Sequence, residues 1–147
     1  MTELDQPATA KRREFRNINA FKDLPTYRLP LAGLVSILHR VSGALMFLLL
    51  PFTIWMFDAS VSSEISFSRF TRAFSEGLGP VPAWVIKLVV LALLWAYLHH
   101  LIAGLRHLWM DVNHAVSKEF GRNSAAVTLF LSIGLTVVSG AKLFGVY

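Results

Sequence analysis

Apolar residues fall in three blocks. Val41 to Phe57 carries no charge, and its helical pattern extends back through Leu31. Val81 to Leu105 is interrupted only by Lys87, His99 and His100. Ala125 to Ala141 is again uncharged and continues past Lys142. Each is at or near the ~20 apolar residues that cross about 30 Å of hydrocarbon. Lipid satisfies no backbone groups, so a span must be helical or belong to a closed barrel. No stretch alternates with period two over about ten residues, which argues against a barrel. The pattern therefore predicts an all-α integral membrane protein with three transmembrane helices, at about residues 30–57, 82–111 and 124–146. Residues 1–20 read as a flexible tail and 21–147 as one membrane domain.

Punctuation refines these elements. Pro30 suits a first helical turn, and Pro51 should kink the first span. Between spans one and two, Phe67, Phe70 and Phe74 recur at helical spacing among polar residues, as in a short interfacial helix. "GLGPVP" breaks the chain before span two. "GRNS" reads as the end of the second loop, with Asn123 or Ser124 as N-cap of span three.

Composition agrees: 54% of the 147 residues are hydrophobic and 16% charged, against about a quarter charged in soluble domains. Cysteine is absent, so disulfides and iron–sulfur ligation within the chain are excluded. The first 40 residues lack the early apolar stretch of a cleavable signal, so the first span is expected to direct its own insertion. Lys11, Arg12, Arg13, Arg16, Lys22, Arg28, Arg106, Lys118 and Arg122 fall in the tail or around the second loop. Lys87, Arg69, Arg72 and Lys142 fall on the other side. The positive-inside rule then puts the N-terminus in the cytoplasm and the C-terminus outside. The net charge of +5 is explained by this topology and points away from nucleic acid.

Polar residues inside the spans raise the chemical question. With ~100° per residue, His100, Gly104, His107 and Asp111 fall within about 60° on one face of helix two. His99 faces elsewhere. On helix one, Ser36, Arg40 and Gly43 form a second stripe, with His39 beside it. Ionisable groups at membrane depth usually face a bundle interior, a cavity or a cofactor. A neutral imidazole such as His100 suits an axial position on haem iron, and Gly104 would leave room for a flat ring. His39 and Arg40 would suit propionates. Span three has no His or Met, and His39 reads as too near the surface to oppose His100, so a second ligand should come from another chain. The bland readings stand beside this one: a packing histidine, snorkelling by Arg40 and Arg106, Ser36 bonded back to its helix, and a haem-free anchor for a soluble oxidoreductase. A transporter would need more spans or an inverted repeat.

"SILHRVSG" followed some sixty residues on by "HLIAGLRHLWMD" closely resembles the membrane-anchor cytochrome b subunits of succinate dehydrogenase, respiratory complex II. The likeness covers roughly residues 25 to 145. "YRLPLAG" stands where some relatives carry a Ser-Pro-His segment, which favours a bacterial type in the inner membrane. The resemblance implies a subunit of the electron-transport chain and tricarboxylic acid cycle that is not catalytic alone. Its partners would be a flavoprotein, an iron–sulfur subunit and a second small anchor. It implies one haem b held between the two anchors and a ubiquinone-reduction site, or, with flux reversed, the anchor of a quinol:fumarate reductase. Residue by residue, His100 matches the axial haem ligand, His39 and Arg40 the surroundings of the propionates, and His107 a histidine near the haem edge. Ser36, Arg40 and Asp111 match the quinone site.

Overall fold

The computed structural model describes residues 17, 19–23, 26–115 and 117–146. The expected tail at 1–20 lies almost wholly outside the described residues. A short turn, α1 (Ala20–Asp23), precedes the membrane part. The Asn19 side chain accepts from the Phe21 and Lys22 N–H groups there.

Five further helices follow: α2 (Leu31–Leu48), α3 (Leu50–Val61), α4 (Glu64–Ala73), α5 (Ala83–Asn113) and α6 (Lys118–Leu143). The architecture is all-α, as the apolar blocks predict. Three helices, α2, α5 and α6, are long and apolar enough to span a membrane. They pack on one another pairwise in an up–down–up arrangement. The common centre is made of small residues: Val35, Ala103 and Ala125 are fully buried, with Ala32 and Leu129 against them. Close backbone approach is what small residues offer where lipid, being as apolar as leucine, supplies no hydrophobic drive between helices. A Cβ at Gly140 would stand only 2.9 Å from Leu91 Cδ1. Large apolar side chains such as Phe47 and Phe130 face outward instead.

Two boundaries differ from the sequence expectation. Span one is not a single kinked helix over 30–57. It is two helices, interrupted at Leu49 (φ −92°, ψ 6°). Pro51 has no N–H to donate to the Phe47 carbonyl, and its ring crowds that carbonyl. The chain restarts at Leu50 with Pro51 in the first turn, where a missing N–H is harmless. Pro30 likewise stands just ahead of α2, as its N-cap residue.

Span three begins at Lys118, not at 124. The Ser117 hydroxyl accepts from the Phe120 N–H at 3.2 Å and caps the helix. "GRNS" is therefore helical and lies against α5. Span two matches its expected range closely, and its end is marked by His114 in the left-handed region at φ 51°.

The loop aromatics form α4 as expected, with Ser63 and Ser66 closing a reciprocal capping box. Phe70 stands 5.2 Å from Phe74 and 6.2 Å from Phe67, ring centre to ring centre. Gly77, at φ 100°, then turns the chain into α5, and a Cβ there would strike the Val81 carbonyl.

Candidate functional site

Helix α5 presents two polar faces to two different neighbours. His100, half-buried, faces α2. Its Nδ1 lies 3.0 Å from the His39 carbonyl oxygen and 3.3 Å from the Ser42 hydroxyl. A carbonyl only accepts, so Nδ1 carries the proton and donates it to His39. The Ser42 hydroxyl donates to the same carbonyl at 2.8 Å. With Nδ1 protonated, the lone pair of the neutral ring sits on Nε2. No hydrogen bond reaches that nitrogen among the described residues.

The close approach behind this contact depends on Gly43. A Cβ there would lie 3.0 Å from His100 Cε1. The His39 imidazole stacks on His100 with ring centres 4.1 Å apart and planes 21° apart. It also lies 5.3 Å from the His107 ring. A Cβ at Gly104 would meet His39 Nε2 at 3.6 Å, so the space beside that glycine is shared with His39.

The stripe on α5 therefore holds together over His100, Gly104 and His107. On α2 the facing residues are His39, Ser42 and Gly43, not the expected line through Ser36 and Arg40. His39 lies close enough to His100 for the two rings to stack. The reason is register: α2 runs antiparallel to α5, which sets His39 between the levels of His100 and His107. Ser36 is half-buried, while Arg40 and Asp111 are exposed. None of the three side chains makes a hydrogen bond or ion pair among the described residues.

The second face of α5 meets α6. His99 is wholly buried. Its Nδ1 is 3.1 Å from the Ser132 hydroxyl. That hydroxyl spends its proton on the Leu129 carbonyl, so Nδ1 is the donor. Trp95 stacks on the ring at 5.5 Å. Nε2 has no hydrogen-bond partner among the described residues.

Two turns on, Arg106 is buried too, and does not snorkel. Its Nε donates to the Ser124 hydroxyl at 2.9 Å, and Nη2 donates to the Gly121 carbonyl at 3.2 Å. Ser42, His99, Ser132 and the Arg106 clamp are absent from the sequence-level site. The four-residue spacing of Ser124, Thr128, Ser132 and Thr136 is the signal that marks this polar face of α6.

The family model described as succinate dehydrogenase/fumarate reductase transmembrane subunit matches residues 14–139. The chain is 34% identical over 118 residues to the succinate dehydrogenase cytochrome b556 subunit of Coxiella burnetii, covering 80% of this chain and 90% of that one. It is 30% identical over 116 residues to the protein of that name from Paracoccus denitrificans, covering 79% and 84%. It is 28% identical over 112 residues to the succinate dehydrogenase cytochrome b560 subunit of Reclinomonas americana, covering 76% and 74%. Three apolar helices agree with the description of a transmembrane subunit, and the chain belongs to the family of succinate dehydrogenase/fumarate reductase transmembrane subunits.

Proposed function

We propose that this chain is the cytochrome b anchor of a succinate:ubiquinone oxidoreductase. It holds one haem b jointly with a second small membrane subunit, and forms part of the site where quinone takes up electrons from the iron–sulfur subunit. The flavoprotein that oxidises succinate docks beyond that subunit. The anchor belongs to an oxidoreductase complex and is not a catalyst by itself.

The observation that carries this reading is the contact of His100 Nδ1 with the His39 carbonyl oxygen. A metal-bound histidine almost always donates its other ring N–H to a carbonyl or carboxylate, which fixes the ring and raises its basicity. His100 does so toward His39, and its Nε2 lone pair is left for iron. The residues thus fit the group: Gly43 gives the ring its seat, and the uncommitted Arg40 guanidinium is free to pair with a carboxylate. The His39 and His100 rings are stacked face to face, so they do not offer lone pairs to one iron from opposite sides. A second ligand would come from the partner subunit. When bound, haem b supplies a one-electron carrier at membrane depth. Ser36 and Arg40 supply a hydroxyl donor and a fixed positive charge for quinone oxygens that become negative on reduction. Asp111, exposed at the end of α5, is the acidic group assigned here to proton delivery.

The test is the complex purified in detergent, with every subunit identified and reduced-minus-oxidised absorbance recorded. A b-type band is expected, together with its loss in an assembled His100→Ala complex. An unchanged band in that variant overturns the ligand assignment. No band in the unaltered complex leaves a haem-free anchor, and fumarate reduction outpacing succinate oxidation makes it the reductase cousin.

A further inference from the structure

Arg106 has more to give than its two hydrogen bonds use. A guanidinium carries five N–H donors. Only Nε–H and one Nη2–H are engaged, by Ser124 and Gly121. Nη1 has no partner among the described residues, and no carboxylate there pairs with the charge. The side chain is nonetheless nine-tenths buried, at 9% exposure.

It borders a groove of about 510 Å³ between α5 and α6, on the side of α5 away from the His100 face. The walls are apolar along Ile102, Leu105 and Val127, and no acidic residue lines it. Asn123 and Ser124 add polar groups at the Arg106 end. On α5, whose midpoint is Leu98, Arg106 lies about 12 Å from the centre at ~1.5 Å per residue. That is close to the edge of a hydrocarbon core of about 15 Å half-thickness. A buried cation with no carboxylate partner among the described residues, opening onto an apolar groove that runs toward the bilayer centre, is complementary to an amphiphile with an anionic head. Basic pockets between transmembrane helices recognise phospholipid head groups in this way.

We propose that the α5–α6 groove binds an anionic phospholipid, its phosphate on the free Arg106 N–H groups and Asn123, and an acyl chain along Ile102, Leu105 and Val127. The site is separate from the haem reading and stands without it.

The test uses the whole complex, purified in detergent and returned to nanodiscs of phosphatidylglycerol or of phosphatidylcholine. Lipid retained on re-extraction is counted by native mass spectrometry. The unaltered complex should keep at least one more phosphatidylglycerol than the Arg106→Gln complex. Arg106→Gln also removes the clamp on α6, so Val127→Trp serves as a second probe. It fills the groove from an exposed position and touches no hydrogen bond. It should lose the same lipid while keeping the subunit composition of the unaltered complex. Thermal stability of the delipidated complex should rise with phosphatidylglycerol, and not with inorganic phosphate. Equal retention in Val127→Trp, equal retention of phosphatidylcholine, an equal response to inorganic phosphate, or a partner carboxylate cross-linked to the groove would each overturn the proposal.

Discussion

Two adjacent histidines on α5 have opposite duties because one residue turns ~100° around a helix. His99 points into α6 and ends as a buried donor to Ser132. His100 points at α2 and keeps a free nitrogen. Ser132→Ala strands a buried N–H, at a cost of about 1–3 kcal/mol in water-soluble proteins and about 0.6 kcal/mol on average between membrane helices. His99→Leu removes the donor together with the orphaned Nε2, and should cost less than Ser132→Ala. Thermal unfolding of the two complexes in one detergent checks that order. Gly43→Ala acts on the other histidine. Its methyl would stand 3.0 Å from His100 Cε1, so the ring must shift by a few tenths of an ångström. The expected result is an assembled complex with a displaced b-type band and several-fold lower haem retention, read by absorbance per mole of subunit. Arg40→Leu should lower quinone reduction several-fold and leave succinate oxidation with an artificial acceptor unchanged; equal falls would mean misassembly. The grouping of His100, Gly104 and His107 is legible in the sequence because it needs only the helical repeat. Ser42 and the role of His99 are not, because they depend on which neighbour packs against each face. That is a matter of tertiary contact.

Each helix shows where a local signal outweighs a pattern. Apolar residues run unbroken across Leu48 to Phe52, and hydropathy alone reads one span. The covalent ring of Pro51 decides otherwise and ends α2 at Leu48. At α6 the reverse happens. Lys118, Glu119 and Arg122 make the segment look like loop, yet the Ser117 cap and the Arg106 bonds to Ser124 and Gly121 hold it helical. Charge density hid the helix start from a reading based on polarity. The α5–α6 contact is set by small residues, and Gly140 tests it. In Gly140→Ala the new methyl meets the tip of Leu91, a flexible side chain that can rotate away, so the change should cost under about 1 kcal/mol. Gly140→Ile must push α5 and α6 apart, and overpacking of that kind costs about 1–3 kcal/mol. Unfolding midpoints of the two variants should separate clearly. Equal midpoints would mean that the helices are not in close contact at Leu91.

Taken whole, the chain buries little within itself. Only about a tenth to a fifth of each spanning window is inside the bundle (11%, 17% and 22% for α2, α5 and α6). The remaining apolar surface must meet lipid and other subunits, which is the physical case for a heteromeric bundle. The proposed orientation of that bundle rests on charge. Six basic residues precede α2, and three more lie in or beside the α5–α6 connection, while α4 and the helix ends opposite carry four. The positive-inside rule would keep that Lys/Arg excess on the cytoplasmic side. The chain has no cysteine, so single cysteines report topology without background. Glu119→Cys, exposed in the first turn of α6, should react with a membrane-impermeant maleimide only after permeabilisation. Ser75→Cys, exposed just beyond α4, should react in intact cells. Reversal of that pattern would put Arg40 and the open end of the His39–His107 cluster on the outer face. The iron–sulfur subunit would then have to reach the quinone site from the wrong side of the membrane, and the electron-transfer reading could not stand.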